Sequence, residues 1–436
     1  MKVSTLSLAA VLGLFGLTLL VLSFSPALLG ALLRIDKGFE EQFIPTEVTA
    51  WPRLLQGYAA LLLSAAALAL AADRSGVFEK MFLWESAAGA VWTLLCSGMT
   101  LFLLSQLSYD SQWYRLSVLI NDSETLEVFS RRLLLIWPAR WLHAAAPSLS
   151  YLRVYWCVQA PVILVMMVLI RMWSAQFMDA GKAHIGQILA VFLLVPTFSY
   201  YTFYDLAIVL FYTGALIALW KRRYVVFALL VGVGALNHEN TLLLLFVAGA
   251  VCYRREPHRK VAQIIGSSLL LWVGARAWIT LAVPMKAAVH IRIFTNLWEL
   301  VHAPEAMGVT GLAWLPLLLF TVLGWRAAPE NLRKASIALI IPLLAVTYLF
   351  GKFREPRQLD AYIPLAIAFG ICTLRPAMQM RALAHHNTHS FEAQTEGPAR
   401  RLIKKPRDVR GALVSSALFV RETTWLQSFS AARLRL

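Results

Sequence analysis

The stretch that decides the fold runs from Tyr204 to Cys252 and reads YDLAIVLFYTGALIALWKRRYVVFALLVGVGALNHENTLLLLFVAGAVC. It holds three apolar segments, which are separated by the basic triplet Lys221–Arg223 and by the polar turn Asn237–Asn240. A soluble core would show shorter apolar stripes at regular spacing, so uninterrupted apolar blocks predict helices that cross a bilayer.

The rest of the chain has the same character. Of its 436 residues, 59% are apolar and only 15% charged, and the mean hydropathy is +0.64, whereas globular chains carry about 25% charged residues. The first apolar run extends to Leu33, which is too long for the core of a signal peptide and predicts a retained span. We therefore predict an all-α, polytopic transmembrane helix bundle with about 12 spans. The predicted spans lie near residues 5–33, 52–72, 84–107, 153–170, 183–199, 204–220, 223–236, 241–252, 262–284, 311–325, 335–350 and 357–375.

The basic residues predict the orientation of these spans. The triplet Lys221–Arg223, the segment Arg254–Lys260 and the C-terminal tail fall on one side, while Ser199–Phe203 and Asn237–Asn240 fall on the other and contain no Lys or Arg. The positive-inside rule places the basic side in the cytoplasm. We expect an inner-membrane protein with both termini cytoplasmic. The net charge of +16 is explained by loops and tail, which disfavours a nucleic-acid role.

Two non-spanning regions stand out. The predicted transmembrane domain, residues 1–375, contains a long outer loop at 108–152, in which Arg131–Ala146 (RRLLLIWPARWLHAAA) mixes Arg, Trp and Leu as helices lying in the membrane interface do. Residues 376–436 form a polar and basic tail, which we expect to be cytoplasmic and mobile.

On this topology the unusual polar residues share the outer side. They are Asp36, Glu40, Glu41, Asp110, Asp205, the turn Asn237–Asn240, Arg292, Glu299, His302 and the connection Lys352–Arg357. Charges at membrane depth usually mark a site or pathway, although a hydrated turn, a solvated carboxylate or a snorkelling arginine are the plainer alternatives. Arg276, deep in the ninth predicted span, requires an acceptor, either an internal partner or a ligand. No HExxH motif or second histidine accompanies His238, so no metal ligand is predicted.

Three short motifs resemble the bacterial GT-C glycosyltransferases, which are polytopic membrane enzymes. The first comprises Tyr109, Asp110, Gln112 and Tyr114, followed by Arg131, Arg132 and Pro138, and is similar to the family's first catalytic loop. The second is the segment Pro196–Thr241 with its Asn-x-Glu at 237–239, and the third is Phe353–Gln358. Ser111, His238 and Asn240 depart from the residues usual in the family.

The resemblance implies a GT-C-like fold and transfer of a sugar, with inversion, from a polyprenyl-phosphate donor to an acceptor hydroxyl on the extracytoplasmic face. It implies Asp110 as the base, or one of Asp36, Glu40 and Glu41 if the catalytic carboxylate follows the first span. The implied substrate-binding residues are Gln112, Tyr114, Asp205, His238, Glu239, Arg354 and Arg357. A glycan, lipid or protein is the implied acceptor. No cofactor is predicted, and a divalent cation has no indication in the sequence.

Other classes of membrane protein compete with this interpretation. A transporter or flippase for lipid-linked saccharides would need polar residues at the midplane and usually paired halves, whereas here the carboxylates lie at predicted span ends. A surface-polysaccharide polymerase or ligase would share lipid-linked substrates and outer arginines. A scaffolding protein is the third alternative.

Overall fold

The computed structural model describes residues 87–107, 116, 120, 132–179, 183–195, 197, 203–282, 292–302, 307–351 and 356–374. These residues form α-helices and two 3-10 segments, and no strand occurs among them. All of them belong to one compact unit, Met1–Ala377. The predicted spans at 5–33 and 52–72 and the tail at 376–436 lie outside the described residues.

The described helices follow the predicted apolar blocks closely. They are α1 (Ala87–Leu107), α2 (Leu133–Ala145), α3 (Tyr151–Ser174), α4 (His184–Leu194), α5 (Asp205–Trp220), α6 (Tyr224–Ala235), α7 (Leu244–Cys252), α8 (His258–Ala282), α9 (Ile293–His302), α10 (Met307–Gly324), α11 (Glu330–Phe350) and α12 (363–374). The 3-10 segments are Glu239–Leu243 before α7 and Pro356–Tyr362 before α12.

Three of the described helices are long and apolar enough to cross a membrane. They are α3, α8 and α11, by length and composition. The apolar parts of α1, α4, α5, α6 and α10, and the continuous segment Glu239–Cys252, are shorter. Exposed apolar side chains cover the outer surface, with Leu270, Leu281 and Val322 each 70% or more exposed. An apolar outer surface of this extent suits a bilayer better than water.

Helix α5 is the centre of the described bundle, and α8 lies at its edge. From Asp205 to Leu219 almost every residue of α5 is buried, which its apolar sequence on all sides requires. Helices α3, α6 and the 3-10 segment Pro356–Tyr362 pack against it. By contrast, α8 buries only a narrow stripe, including Ile264 and Ile279, and packs mainly against α6.

Several buried polar side chains form hydrogen bonds between helices, because an amide or indole N–H buried without an acceptor would destabilise the protein. Gln159 of α3 donates to the carbonyl of Phe203, just before α5. Trp173, near the C-terminal end of α3, donates to the carbonyl of Pro364 in α12 at 2.7 Å. Gln187 of α4 donates to Thr93 of α1 at 2.9 Å. The bond from Gln159 holds the beginning of α5 against the N-terminal half of α3.

The basic connections meet at the opposite end of α5 and α6. The hydroxyl of Tyr224 donates to Glu256 at 2.6 Å, and Lys260 lies 2.8 Å from the same carboxylate. Arg255 donates to the carbonyl of Trp220, the last residue of α5. The segments that follow α5 and α7 therefore lie side by side.

Three regions have a structure that differs from, or goes beyond, the sequence-based expectation. The segment proposed to lie in the interface contains a helix, Leu133–Ala145, with Pro138 inside it. The connection predicted at 285–310 contains a helix, Ile293–His302, which its strong amphipathic pattern explains. The last predicted span begins as a 3-10 segment, Pro356–Tyr362, and continues as the helix α12.

Candidate functional site

The turn Asn237–Asn240 is fixed against the beginning of α5. The side-chain amide of the buried Asn237 donates to the carbonyl of Tyr204 at 3.0 Å. The hydroxyl of Tyr212, about two turns further along α5, donates to the carbonyl of Asn240 at 2.6 Å. His238 is extended between α6 and the 3-10 segment, and its Nδ1 accepts the backbone N–H of Asn240 at 3.2 Å. These bonds explain how four polar residues without Gly or Pro hold a tight turn.

The side chain of Glu239 is contacted by side chains from three places: the residue before α2, the turn itself and α8. Its Oε1 lies 3.4 Å from Arg132 Nη2, just before α2, and 3.9 Å from His238 Nδ1. Its Oε2 lies 3.8 Å from Arg276 Nη1 in α8, and its backbone carbonyl accepts from the indole of Trp272 at 3.2 Å. The Glu239 side chain is 47% exposed, while that of Arg132 is 8% exposed. The half-exposed carboxylate of Glu239 therefore lies against the largely buried guanidinium of Arg132.

Helix α2 brings Arg132 to this position. The backbone N–H of Leu134 donates to the carbonyl of Leu236 at 3.3 Å, which ties the first turn of α2 to the end of α6. The guanidinium carbon of Arg132 lies 3.9 Å from the centre of the Tyr204 ring. Stacking of this kind favours arginine over lysine, because only the guanidinium is planar.

Tyr204 links the Glu239 cluster to a second, more deeply buried ion pair. Arg357, in the 3-10 segment Pro356–Tyr362, donates to the Tyr204 hydroxyl at 3.4 Å, and its Nη1 lies 3.5 Å from Asp205 Oδ2. Asp205 is buried and begins α5, where the helix dipole favours a negative charge. The two ion pairs share Tyr204, whose ring faces Arg132 and whose hydroxyl faces Arg357.

The charges of the turn are set by its surroundings. Burial, followed by the proximity of Arg132, lowers the pKa of His238 to about 3, so the imidazole is neutral near physiological pH. Since Nδ1 accepts a hydrogen bond, the neutral ring carries its proton on Nε2 and can donate from there. Burial acts to raise the pKa of Glu239, but His238, Arg132 and Arg276 outweigh it and lower the pKa below its usual range. Glu239 is therefore a carboxylate.

The structure brings together four of the residues singled out from the sequence, namely Asp205, His238, Glu239 and Arg357. Asp110, Gln112, Tyr114 and Arg354 lie outside the described residues, as do Asp36, Glu40 and Glu41. Arg276, for which the sequence required an acceptor, finds it in Glu239 and in the carbonyl of Ala235 at 3.3 Å. Helix α9, which contains Glu299 and His302 and directly follows Arg292, packs against α11.

Sequence reasoning missed two members of the arrangement. Tyr204 reads as an ordinary aromatic residue at the end of a membrane helix, and only its position next to Asp205 could have drawn attention to it. Asp360 was overlooked because it falls in the predicted span 357–375. A lone carboxylate there, three residues after Arg357, was the available signal.

The arrangement suits an anion better than a metal ion. Among the described residues no three His, Cys, Asp or Glu side chains come together in a way that could hold a metal ion. The carboxylates of Asp205 and Glu239 face guanidinium groups, which repel a further cation. Arginines with a stacked or paired plane are the usual recognition groups for phosphate oxygens.

No protein-family model matches the chain, and no curated protein or solved structure is similar enough to count as a match.

Proposed function

We propose that this chain is a membrane glycosyltransferase of GT-C type, which moves a sugar from a polyprenyl-phosphate donor to an acceptor hydroxyl. The observation that carries the proposal is the convergence of Arg132 and Arg276 on the half-exposed carboxylate of Glu239, next to the Asp205–Arg357 pair. A lipid-linked sugar phosphate presents both groups that such a site can recognise: a phosphate for guanidinium groups and hydroxyls for a carboxylate.

The reaction needs a base and a stabiliser of the leaving group. The acceptor oxygen attacks the anomeric carbon, the bond from that carbon to the phosphate oxygen breaks, and the electron pair leaves with the polyprenyl phosphate. The acceptor proton passes to a carboxylate, and the phosphate gains negative charge that fixed cations stabilise. In this proposal Arg132, Arg276, Arg354 and Arg357 provide those cations.

Glu239 is better suited to orient a hydroxyl than to remove its proton. A general base is most effective when its pKa lies near the working pH, and the surrounding cations lower the pKa of Glu239 far below that. We therefore retain Asp110 as the proposed base and assign Glu239 to the binding of sugar or acceptor hydroxyls. His238, neutral and donating from Nε2, would bind a phosphate or hydroxyl oxygen, and Gln112 and Tyr114 would complete the substrate site.

The proposal includes a topology of about 12 spans in the inner membrane, with cytoplasmic termini and an extracytoplasmic site. The support for this topology is that the Lys- and Arg-rich connections lie at one end of α5 and α6 and the Glu239 cluster lies at the other end. Basic connections meet at Glu256 near one end, and the Glu239 cluster lies at the other. Three described helices have the length and composition of spans, and shorter apolar helices pack against them.

The test is donor turnover by the purified full-length protein. A panel of radiolabelled polyprenyl-phosphate sugars is incubated with the protein and a membrane glycolipid extract, and release of polyprenyl phosphate and labelled product are both measured. We expect turnover of at least one donor, loss of it in Asp110→Asn, and weaker donor use in Arg276→Gln. Arg259→Gln is the matched control, because Arg259 is exposed near the other end of the same helix. A folded protein that consumes no such donor, or full activity in Asp110→Asn, would contradict the proposal.

A transporter for lipid-linked saccharides is the second candidate, and the buried carboxylate Asp360 favours it. Buried acids within membrane proteins commonly serve proton-coupled movement. An experiment can distinguish the two candidate functions, because glycosyl transfer proceeds in detergent solution without a gradient. Transport requires sealed liposomes and leaves the sugar–phosphate bond intact.

A further inference from the structure

The least satisfied polar group in the described part of the chain is the carboxyl of Asp360. It lies in the 3-10 segment Pro356–Tyr362, is only 1% exposed, and neither of its oxygens has a hydrogen-bond partner. The Thr197 hydroxyl faces it, but that hydroxyl donates to the carbonyl of Leu194 at 2.8 Å. An ionised carboxylate held this way would be costly, because burial removes the water that stabilises its charge.

The charges around Asp360 make ionisation more costly still. From α5 it faces Asp205, which is paired with Arg357 at 3.5 Å and is further stabilised at the N-terminus of its helix. From its own segment it faces Arg357. On the sides of α10 and α11, the segment presents Tyr362, whose hydroxyl bonds Thr321 and Ser336. One arginine thus lies beside two buried carboxyl groups, and it forms an ion pair with Asp205.

We propose that Asp360 is a buried proton-binding site, whose side chain carries a proton near neutral pH and thereby leaves Arg357 paired with Asp205. The bound ligand is the proton itself, and the site consists of the Asp360 carboxyl beside the Asp205–Arg357 pair. This inference does not depend on the proposed glycosyltransferase activity.

Two nearby carboxyl groups that share a site do not both ionise readily, so that one remains ionised while the other keeps its proton. Asp205 has Arg357 as an ion-pair partner and lies at the N-terminus of α5, so it is the ionised member. Asp360, buried beside it without a hydrogen-bond partner, is the protonated member.

The proton has a structural consequence for Arg357. Residues three apart in a 3-10 segment lie on the same face, so Arg357 and Asp360 are neighbours along Pro356–Tyr362. If Asp360 ionised, it would compete with Asp205 for the guanidinium. Arg357 also donates to Tyr204, whose ring lies against Arg132, so such competition would reach the Glu239 cluster.

Infrared spectroscopy of the full-length protein in detergent tests for the proton directly. Protein labelled with ¹³C at the aspartate carboxyl should show, near neutral pH, the isotope-shifted C=O band of a protonated acid. The band should be lost in Asp360→Asn and retained in Asp179→Asn, the control for an aspartate elsewhere in the chain. In Asp205→Asn the band should disappear at a lower pH than in the wild type, because the competing carboxylate has gone. A wild-type protein without this band, or a band unchanged in Asp360→Asn, overturns the proposal.

Thermal unfolding against pH provides an independent measurement. If Asp360 keeps its proton in the folded state, stability falls as pH rises above about 4, where an ordinary aspartate in the unfolded chain releases its proton. We expect Asp360→Asn to remove much of that decline and to raise the melting temperature near neutral pH, since the amide mimics the protonated acid. A lower melting temperature in Asp360→Asn, with the pH dependence retained, would show that the ionised carboxylate is required and would overturn the inference. If the variant cannot be purified, a wild-type protein without the infrared band still overturns the inference, and loss of the band at a lower pH in Asp205→Asn assigns the band to this site.

Discussion

Arg276 Nη1 lies 3.8 Å from Glu239 Oε2 and also donates to the carbonyl of Ala235 at 3.3 Å, so one guanidinium closes the end of α6 and contacts the carboxylate that follows it. Cations near the C-terminal carbonyls of a helix are stabilising, because those carbonyls carry the negative end of the dipole. The long edge helix α8 is thereby attached to the candidate site through a polar contact in an otherwise apolar region.

A double-mutant cycle on Arg276 and Glu239 should reveal a modest coupling. The Glu239 side chain is about half exposed, so water screens the pair, and we expect a coupling of about 0.5–1 kcal/mol in the free energy of unfolding. Thermal unfolding of the wild type, Arg276→Gln, Glu239→Gln and the double variant measures it. In the same protein, Arg259→Gln should show no coupling to Glu239→Gln. A coupling for Arg259 as large as for Arg276 would mean that long-range charge, and not the contact, is responsible.

Substitutions at Tyr204 should separate its two contacts. Tyr204→Phe removes the hydroxyl that accepts from Arg357 and keeps the ring below Arg132, so we expect a loss of about 1 kcal/mol in stability. Tyr204→Leu also removes the ring and should cost about 2 kcal/mol more, through lost stacking and an imperfectly filled core. Chemical unfolding in mixed micelles gives both values. Equal losses for the two variants would assign the whole effect to the hydroxyl.

His238 should make the protein sensitive to acid. Its pKa falls from 6.5 to about 3 in the folded state, so between these values the unfolded chain binds a proton that the folded chain does not, and stability decreases as pH falls. The decrease has an upper bound of about 5 kcal/mol. His238→Asn keeps an acceptor for the backbone N–H two residues on, does not titrate, and should flatten this part of the stability profile.

The control for that experiment is His258→Asn, at an exposed position at the beginning of α8. It removes a histidine that is remote from the cluster and should leave the acid limb of the profile as in the wild type. Because Asp360 is expected to act in the opposite direction, with stability lost as pH rises, the two residues are best compared in separate single variants. An unchanged acid limb in His238→Asn would mean that the imidazole is already protonated in the folded protein.

The sequence predicted the helices of this protein better than the contacts within its site. Apolar blocks defined α3, α5, α6, α8 and α11 to within several residues, because a helix in an apolar environment must satisfy its own backbone. It also indicated Arg276 as a residue that needs an acceptor, and Asp205 and Glu239 as candidate site residues. It could not indicate which partner each would find, because pairs such as Arg132 with Glu239 are separated by 107 residues and depend on how helices pack. Asp360 escaped notice because a single carboxyl hardly changes the hydropathy of a span.

A pair of glycine substitutions should test how closely α10 approaches α12. A Cβ added at Gly324 would overlap the backbone carbonyl oxygen of Phe369, which cannot move without displacing α12. Gly324→Ala should therefore destabilise the protein by about 2 kcal/mol or more, measured by thermal unfolding. At Gly266 in α8, an added Cβ has no atom within 4 Å, so Gly266→Ala should be neutral or stabilising by up to about 1 kcal/mol, as alanine favours a helix. Tolerance of Gly324→Ala at the level of Gly266→Ala would mean that α10 and α12 pack less closely than described, and that the 3-10 segment carrying Arg357 and Asp360 is less firmly held.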